Sequence, residues 1–144
     1  MSGGQNKPEG KVTMRRHRLP RTAILRGKKA FTGLFADGKA LRGRDFDFKY
    51  TVGATGTGSI KVAFVAGKRL GGAVVRNRCK RMLREAYRLS QHLFVDIVRN
   101  DGRDVEAAFI AKRPVMELQE LVRHMGSVAT RFRDQVAAEG SNAV

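Results

Sequence analysis

The sequence predicts an α+β two-layer sandwich, one sheet with helices packed on it, in the order α-β-β-β-α-β-α. Three observations carry that prediction. Residues 44–51 alternate, with Phe46, Phe48 and Tyr50 on one side of an extended chain. Ile60 to Ala66 is almost continuously apolar toward its end, as a strand central in its sheet would be, and a helical pattern follows it. Leu118, Leu121, Val122, Met125, Val128, Ala129, Phe132 and Val136 then hold a helical period for about five turns.

Taken in order, residues 1–20 read as a disordered basic arm, with Gly3, Gly4, Pro8, Gly10 and Pro20 among Lys11, Arg15, Arg16, His17 and Arg18. Such an arm is either an inert terminus or a phosphate-contacting segment that orders on binding. Residues 21–138 form a single domain, and 139–144 read as a loose tail. Leu25 to Asp37 is a helix candidate with Phe31, Leu34 and Phe35 on one side, and Gly38 is read as its left-handed stop. Lys39 to Gly43 is a short extended piece before the alternating strand. The glycines of 53–58 fit neither the dinucleotide nor the P-loop spacing, so that stretch is a hairpin connection. The central helix runs from Gly72 or Ala73 to about Gln91, with Val75, Cys79, Met82, Leu83, Ala86 and Leu89 along one side. Asn100 to Arg103 is a turn, and Val105 to Lys112 is a strand ending before Pro114. A sheet with helices on one face leaves the other partly open to a ligand, so Phe46, Phe48 and Tyr50 face either the core or that ligand.

Charge points to the partner. There are 29 Lys and Arg against 13 acids, a formal charge of +16, which fits nucleic acid or an anionic membrane surface. On the central helix Asn77, Lys80, Arg81, Arg84 and Arg88 lie opposite the apolar stripe, and Glu85 is the only acid before Leu89. Like charges at helical spacing repel, so a one-sided cation ladder implies a polyanion that neutralises it. No apolar run approaches a membrane span, and a cytoplasmic protein with no membrane association is expected. Cys79 and the dispersed His17, His92 and His124 give no zinc spacing. Asp45 and Asp47 alternate on a strand without further carboxylates, which argues against a protein-borne nuclease centre. Paired glycines before the helix, and no second adjoining helix, argue against helix-turn-helix DNA binding. A structural RNA-binding module, such as a ribosomal protein, stays open on composition alone.

The block Gly67-Lys68-Arg69-Leu70-Gly71-Gly72-Ala73-Val74-Val75-Arg76-Asn77-Arg78-Cys79-Lys80-Arg81-Met82-Leu83-Arg84-Glu85-Ala86-Tyr87-Arg88 resembles the signature of the bacterial ribonuclease P protein family. The resemblance extends over residues 25–137 and takes in Phe31-Thr32-Gly33-Leu34-Phe35, Asp37-Gly38 and the strand from Val105 to Pro114. It implies a four-stranded mixed sheet with a left-handed β-α-β crossover made by the central helix, against the usual right-handed rule. It also implies an accessory subunit of an endoribonuclease holoenzyme, with catalysis in a partner RNA that holds Mg²⁺. Expected partners are that catalytic RNA and precursor tRNA, whose 5′ leader is removed, and no obligate protein partner. By the same resemblance Lys68, Arg69, Arg76, Asn77, Arg78, Lys80, Arg81, Arg84 and Arg88 face the catalytic RNA. Phe31, Phe35, Phe46, Phe48 and Lys49 line the leader cleft; Lys49 stands where the family has a strand aromatic, or, with a one-residue slip, Phe48 or Tyr50 takes that place. Gly67 stands where serine is common, and Gly72 where asparagine is common. The chain bears neither catalytic nor metal-binding residues of its own in this reading.

Overall fold

The computed structural model describes residues 18–143. Seven elements follow the expected order: α1 (Lys28–Asp37), β1 (Lys39–Leu41), β2 (Phe46–Val52), β3 (Ile60–Val65), α2 (Ala73–Asp101), β4 (Val105–Ala111) and α3 (Leu118–Ala143). The strands form one mixed sheet in the order β1-β2-β4-β3, so β3 lies at an edge rather than in the centre that its apolar run predicts, and the 53–58 connection joins two strands separated by β4 rather than closing a hairpin. β2 runs antiparallel to β1 and β4, pairing Phe48 with Phe109, while β3 runs parallel to β4, pairing Phe64 with the same residue. α2 therefore makes the β-α-β crossover between neighbouring parallel strands.

Strict alternation on β2 decides which side chain meets which layer. Phe46, Phe48 and Tyr50 are buried on the side of α2 and α3, and Asp47, Lys49 and Thr51 point the other way, half-buried. On the helix side the Phe109 ring lies 4.9 Å from Phe48, 5.3 Å from Tyr87 and 5.7 Å from Phe94, and Phe132 lies 5.2 Å from Phe48. These offset and edge-on pairs add to the area they bury. The other face is thinner. There α1 packs Leu34, with Ala30 and Phe31 beside it, on Leu25, Ala63, Val65, Ala108 and Ile110.

Several boundaries differ from the sequence reading. α1 starts three residues later, after Gly27 at φ 100°. Gly38 ends it in an extended conformation, φ −69°, rather than the left-handed one; glycine is needed because a Cβ there would meet the Leu34 carbonyl oxygen at 2.4 Å. α2 continues ten residues past Gln91, because Phe94 and Val98 keep the buried stripe going, and stops at Gly102 in the left-handed region, φ 89°. α3 runs on to Ala143 over the stretch expected as a loose tail. Tyr50 donates a 3.0 Å hydrogen bond to Glu139 and Lys39 pairs with it at 3.3 Å, which fastens the helix end to the sheet. Of the expected basic arm, residues 1–17 lie outside the described residues. The glycine-rich 53–58 connection is held by Asp104, whose carboxylate accepts from the Thr57 and Ser59 amides and the Ser59 hydroxyl, each at 3.0 Å. Those bonds, the Ser59 amide first, hold the Asp104 carboxyl below the usual carboxylate range.

Candidate nucleic-acid interface

Two surfaces gather the residues singled out from the sequence. The first is the N-terminal half of α2 with the 3₁₀ turn Lys68–Leu70 that leads into it. Gly71, at φ 140°, lets that turn swing into the helix, and Gly72 caps it without a side-chain bond. Cys79, Leu83, Ala86 and Tyr87 are buried beneath, which turns the cations outward. Lys68, Arg69, Asn77, Arg78, Arg81 and Arg84 are exposed; Arg76, Lys80 and Arg88 are half-buried. Arg78, Arg81, Met82, Arg84 and Glu85 line a shallow concavity.

Members of this face differ in what they already hold. The Arg88 guanidinium grips Glu85 through Nε at 3.0 Å and Nη2 at 2.5 Å, and this hydrogen bonding keeps the Glu85 carboxyl below its ordinary range. Arg84 lies over the Phe64 ring, 5.7 Å from its centre, which fixes the guanidinium while leaving its donors outward. Arg76 Nε is buried without a hydrogen-bond partner. The Cys79 thiol is pushed up by burial and points at the Arg113 and Pro114 carbonyls, 3.6 and 3.5 Å away, so it packs rather than reacts.

The second surface is the groove between α1 and the far side of the sheet. Phe31 and Phe35 stack 6.3 Å apart, with Phe35 39% exposed. Lys49 reaches up from β2, donates to the Phe35 carbonyl at 2.8 Å, and places its ammonium 5.6 Å from the Phe35 ring centre. Phe31, Phe35 and Lys49 thus come together. Phe46 and Phe48 do not: they are 1% and 0% exposed on the opposite face, so neither is available to a base in the groove. Their parity with Tyr50, not their aromatic character, settles the matter. Lys61, exposed on β3, belongs to this side and was missed; its place between buried Ile60 and Val62 was the available signal.

Asp45 and Asp47 serve the fold. Asp45, buried, pairs with Arg113 at 3.1 Å, and His124 Nδ1 sits 3.0 Å from its other oxygen without the alignment of a hydrogen bond. Asp47 pairs with Lys112 at 3.2 Å and accepts from the Gly43 amide. Among the described residues no group of three or more His, Cys, Asp or Glu side chains is placed to hold a metal ion. None of the described helices is long and apolar enough to cross a membrane.

Fold and charge define a class: a basic α+β domain with one cation-lined helix and one aromatic-lipped groove. The family model for ribonuclease P matches residues 19–133, and the chain belongs to the ribonuclease P protein family. It is similar to the ribonuclease P protein component of Desulfovibrio desulfuricans, 34% identical over 116 residues covering 78% of this chain and 89% of that one. The match to the Desulfotalea psychrophila component is 35% identical over 81 residues, 56% of this chain. The chain spans 66% of the length of that relative and 60% of the one from Chlorobaculum tepidum. Among solved structures, the RNase P protein of Thermotoga maritima superposes with a TM-score of 0.59 over 75% of this chain and 96% of its own, at 18% identity. That of Staphylococcus aureus gives 0.52 over 74% and 94%, at 19% identity, a likeness of fold.

Proposed function

We propose that this chain is the protein subunit of ribonuclease P, an accessory to a catalytic RNA in removing the 5′ leader of precursor tRNA. The observation that carries the proposal is the outward cation face of α2, continuous with Lys68 and Arg69 and carrying one acid, Glu85, before Leu89. Cations spaced along one helix side neutralise phosphates of a folded RNA without reading its sequence. The stacked Phe31–Phe35 pair beside Lys49 suits an unpaired base, which can stack on a ring edge-exposed to solvent while the ammonium meets its phosphate. In this reading Mg²⁺ belongs to the RNA. The chain's own contribution is to hold the leader and to lower the repulsion between substrate and catalytic RNA, in the cytoplasm.

The test is cleavage of a precursor tRNA at low Mg²⁺ with the cognate catalytic RNA, with and without the chain, and with the chain alone. Stimulated cleavage that requires the RNA supports the proposal. Cleavage by the chain alone overturns it, and no stimulation leaves the reading of a structural RNA-binding module.

A further inference from the structure

The segment ahead of α1 crosses the open edge of the sheet. At its start, Gln91 of α2, only 7% exposed, donates through Nε2 to the Arg18 carbonyl at 2.7 Å and to the Arg88 carbonyl at 3.1 Å. Leu19 packs against the core on the helix side. A 3₁₀ turn at Arg21–Ala23 follows, closed by the Ala23 amide on the Pro20 carbonyl at 3.0 Å. Ile24 then bridges Val62 of β3 in parallel register, and the Leu25 amide donates to the Val62 carbonyl at 2.8 Å. The Leu25 side chain is buried in the other cluster, under α1. The chain thus starts against α2, passes over edge strand β3 and ends in the groove.

This strap is cationic and unpaired. Between Arg18 and Lys29 there are five cations and no acid. Arg18, Arg21 and Arg26 are exposed, and no carboxylate pairs with them among the described residues. A buried amide inside a helix that serves a main-chain carbonyl 73 residues away is a costly way to hold an inert terminus, since each buried polar atom must stay satisfied. The device makes sense if the strap's course matters.

We propose that the strap from Arg18 to Arg26 is a third RNA-contacting surface, carrying the phosphates of the leader from the Phe31–Phe35 groove over β3 toward the cation face of α2. Gln91 is the residue that positions it. This rests on the function proposed above. A strand leaving Phe31 across the β3 edge meets Arg26, then Arg21, then Arg18, within at most about 28 Å of chain. Single-stranded RNA is the fitting class because a flexible backbone can follow a bent track that a duplex cannot.

The experiment measures affinity of the holoenzyme, made with the cognate catalytic RNA, for precursors whose leaders have about three or about ten nucleotides. The triple variant Arg18→Gln, Arg21→Gln, Arg26→Gln should lose about tenfold for the long leader and nothing for the short one. Its salt slope for the long leader should fall by about 0.7 for each phosphate left without a cation, about 2 in all. Gln91→Leu, which keeps all three charges, should lose affinity for the long leader alone. Equal loss for both leaders would place the strap on another RNA and overturn the proposal, as would unchanged affinity of the triple variant. If the wild-type holoenzyme itself shows no preference for leader-bearing over mature tRNA, the groove reading falls first, and the strap with it.

Discussion

On the helix side of the sheet, Phe46, Phe48 and Tyr50 disappear beneath α2 and α3; on the opposite side of the same strand, Asp47, Lys49 and Thr51 keep part of their surface in water. Residues alternate between the two environments at every step. The helix side is filled with rings 4.9–6.0 Å apart around Phe109, Phe94 and Phe48, and their burial is a large part of what this core contributes. The groove side holds a small apolar cluster, and at its edge Phe35 stacks on Phe31 and carries Lys49 over its ring. One face is closed and holds the domain together, and the other is kept open with groups suited to a nucleotide. The same residue type is sealed off on one side and left partly exposed on the other.

The largest effect that would break this contrast is on the closed face. Phe109→Ala should cost about 3–5 kcal/mol, read as a lower midpoint in urea, because a ring shared by five aromatic neighbours leaves a cavity that cannot collapse. A cost near zero would mean the helix-side core is not what stabilises the sheet. On the open face, Phe35→Ala should leave the urea midpoint nearly unchanged while leader-bearing precursor binds weaker by about 1–3 kcal/mol relative to mature tRNA. Phe31→Ala should move both quantities, since Phe31 also packs in the small cluster under α1. Equal loss for precursor and mature tRNA would make the pair mere packing.

Smaller again, Arg78→Ala with Arg81→Ala should weaken catalytic-RNA binding about tenfold and lower its salt slope by about 0.9 for each phosphate that is no longer neutralised. An unchanged slope would remove this pair from the interface. The smallest effect concerns pH. Hydrogen bonding from Arg103, at 2.7 Å, keeps the Asp101 carboxyl below its ordinary value in the folded chain. The unfolded chain therefore takes up this proton first, at about pH 4. The pair's contribution is complete above that pH and is lost as pH falls through the lower folded value. Asp101→Asn should flatten the acid limb of stability below about pH 4 without altering the RNA slope, measured by urea unfolding across pH.

Element order and strand parity were legible because burial imposes a period, and the α2 block was legible because its cations fall on one side. The alternation of Phe46, Phe48 and Tyr50 already grouped them; what it lacked was which face of the sheet α1 would cover. The end of α2 was hidden because Leu93 to Val98 mixes β-branched residues with Asp96, so the Phe94–Val98 stripe looked broken. Gly38 was recognised as a stop for the wrong reason, since only coordinates show the Leu34 carbonyl standing where a Cβ would be. The strap was illegible, because the bond from Gln91 to Arg18 joins residues far apart in sequence and a basic stretch with Pro20 looks like a free arm.

The Asp104 clamp has a consequence for how any RNA is held. In the Gly53–Ser59 connection, the amides that might have cradled a phosphate are already occupied by the molecule's own carboxylate, and a Cβ at Gly56 would strike Asp104 at 2.3 Å. An external phosphate would have to displace an internal anion tied by three bonds. At this connection, grip would therefore have to come from long side chains rather than from a rigid backbone nest. Side chains of that kind would follow a sliding or irregular polyanion and let go as ionic strength rises, and so would exchange the fixed address of a single phosphate for tolerance of many RNA sequences.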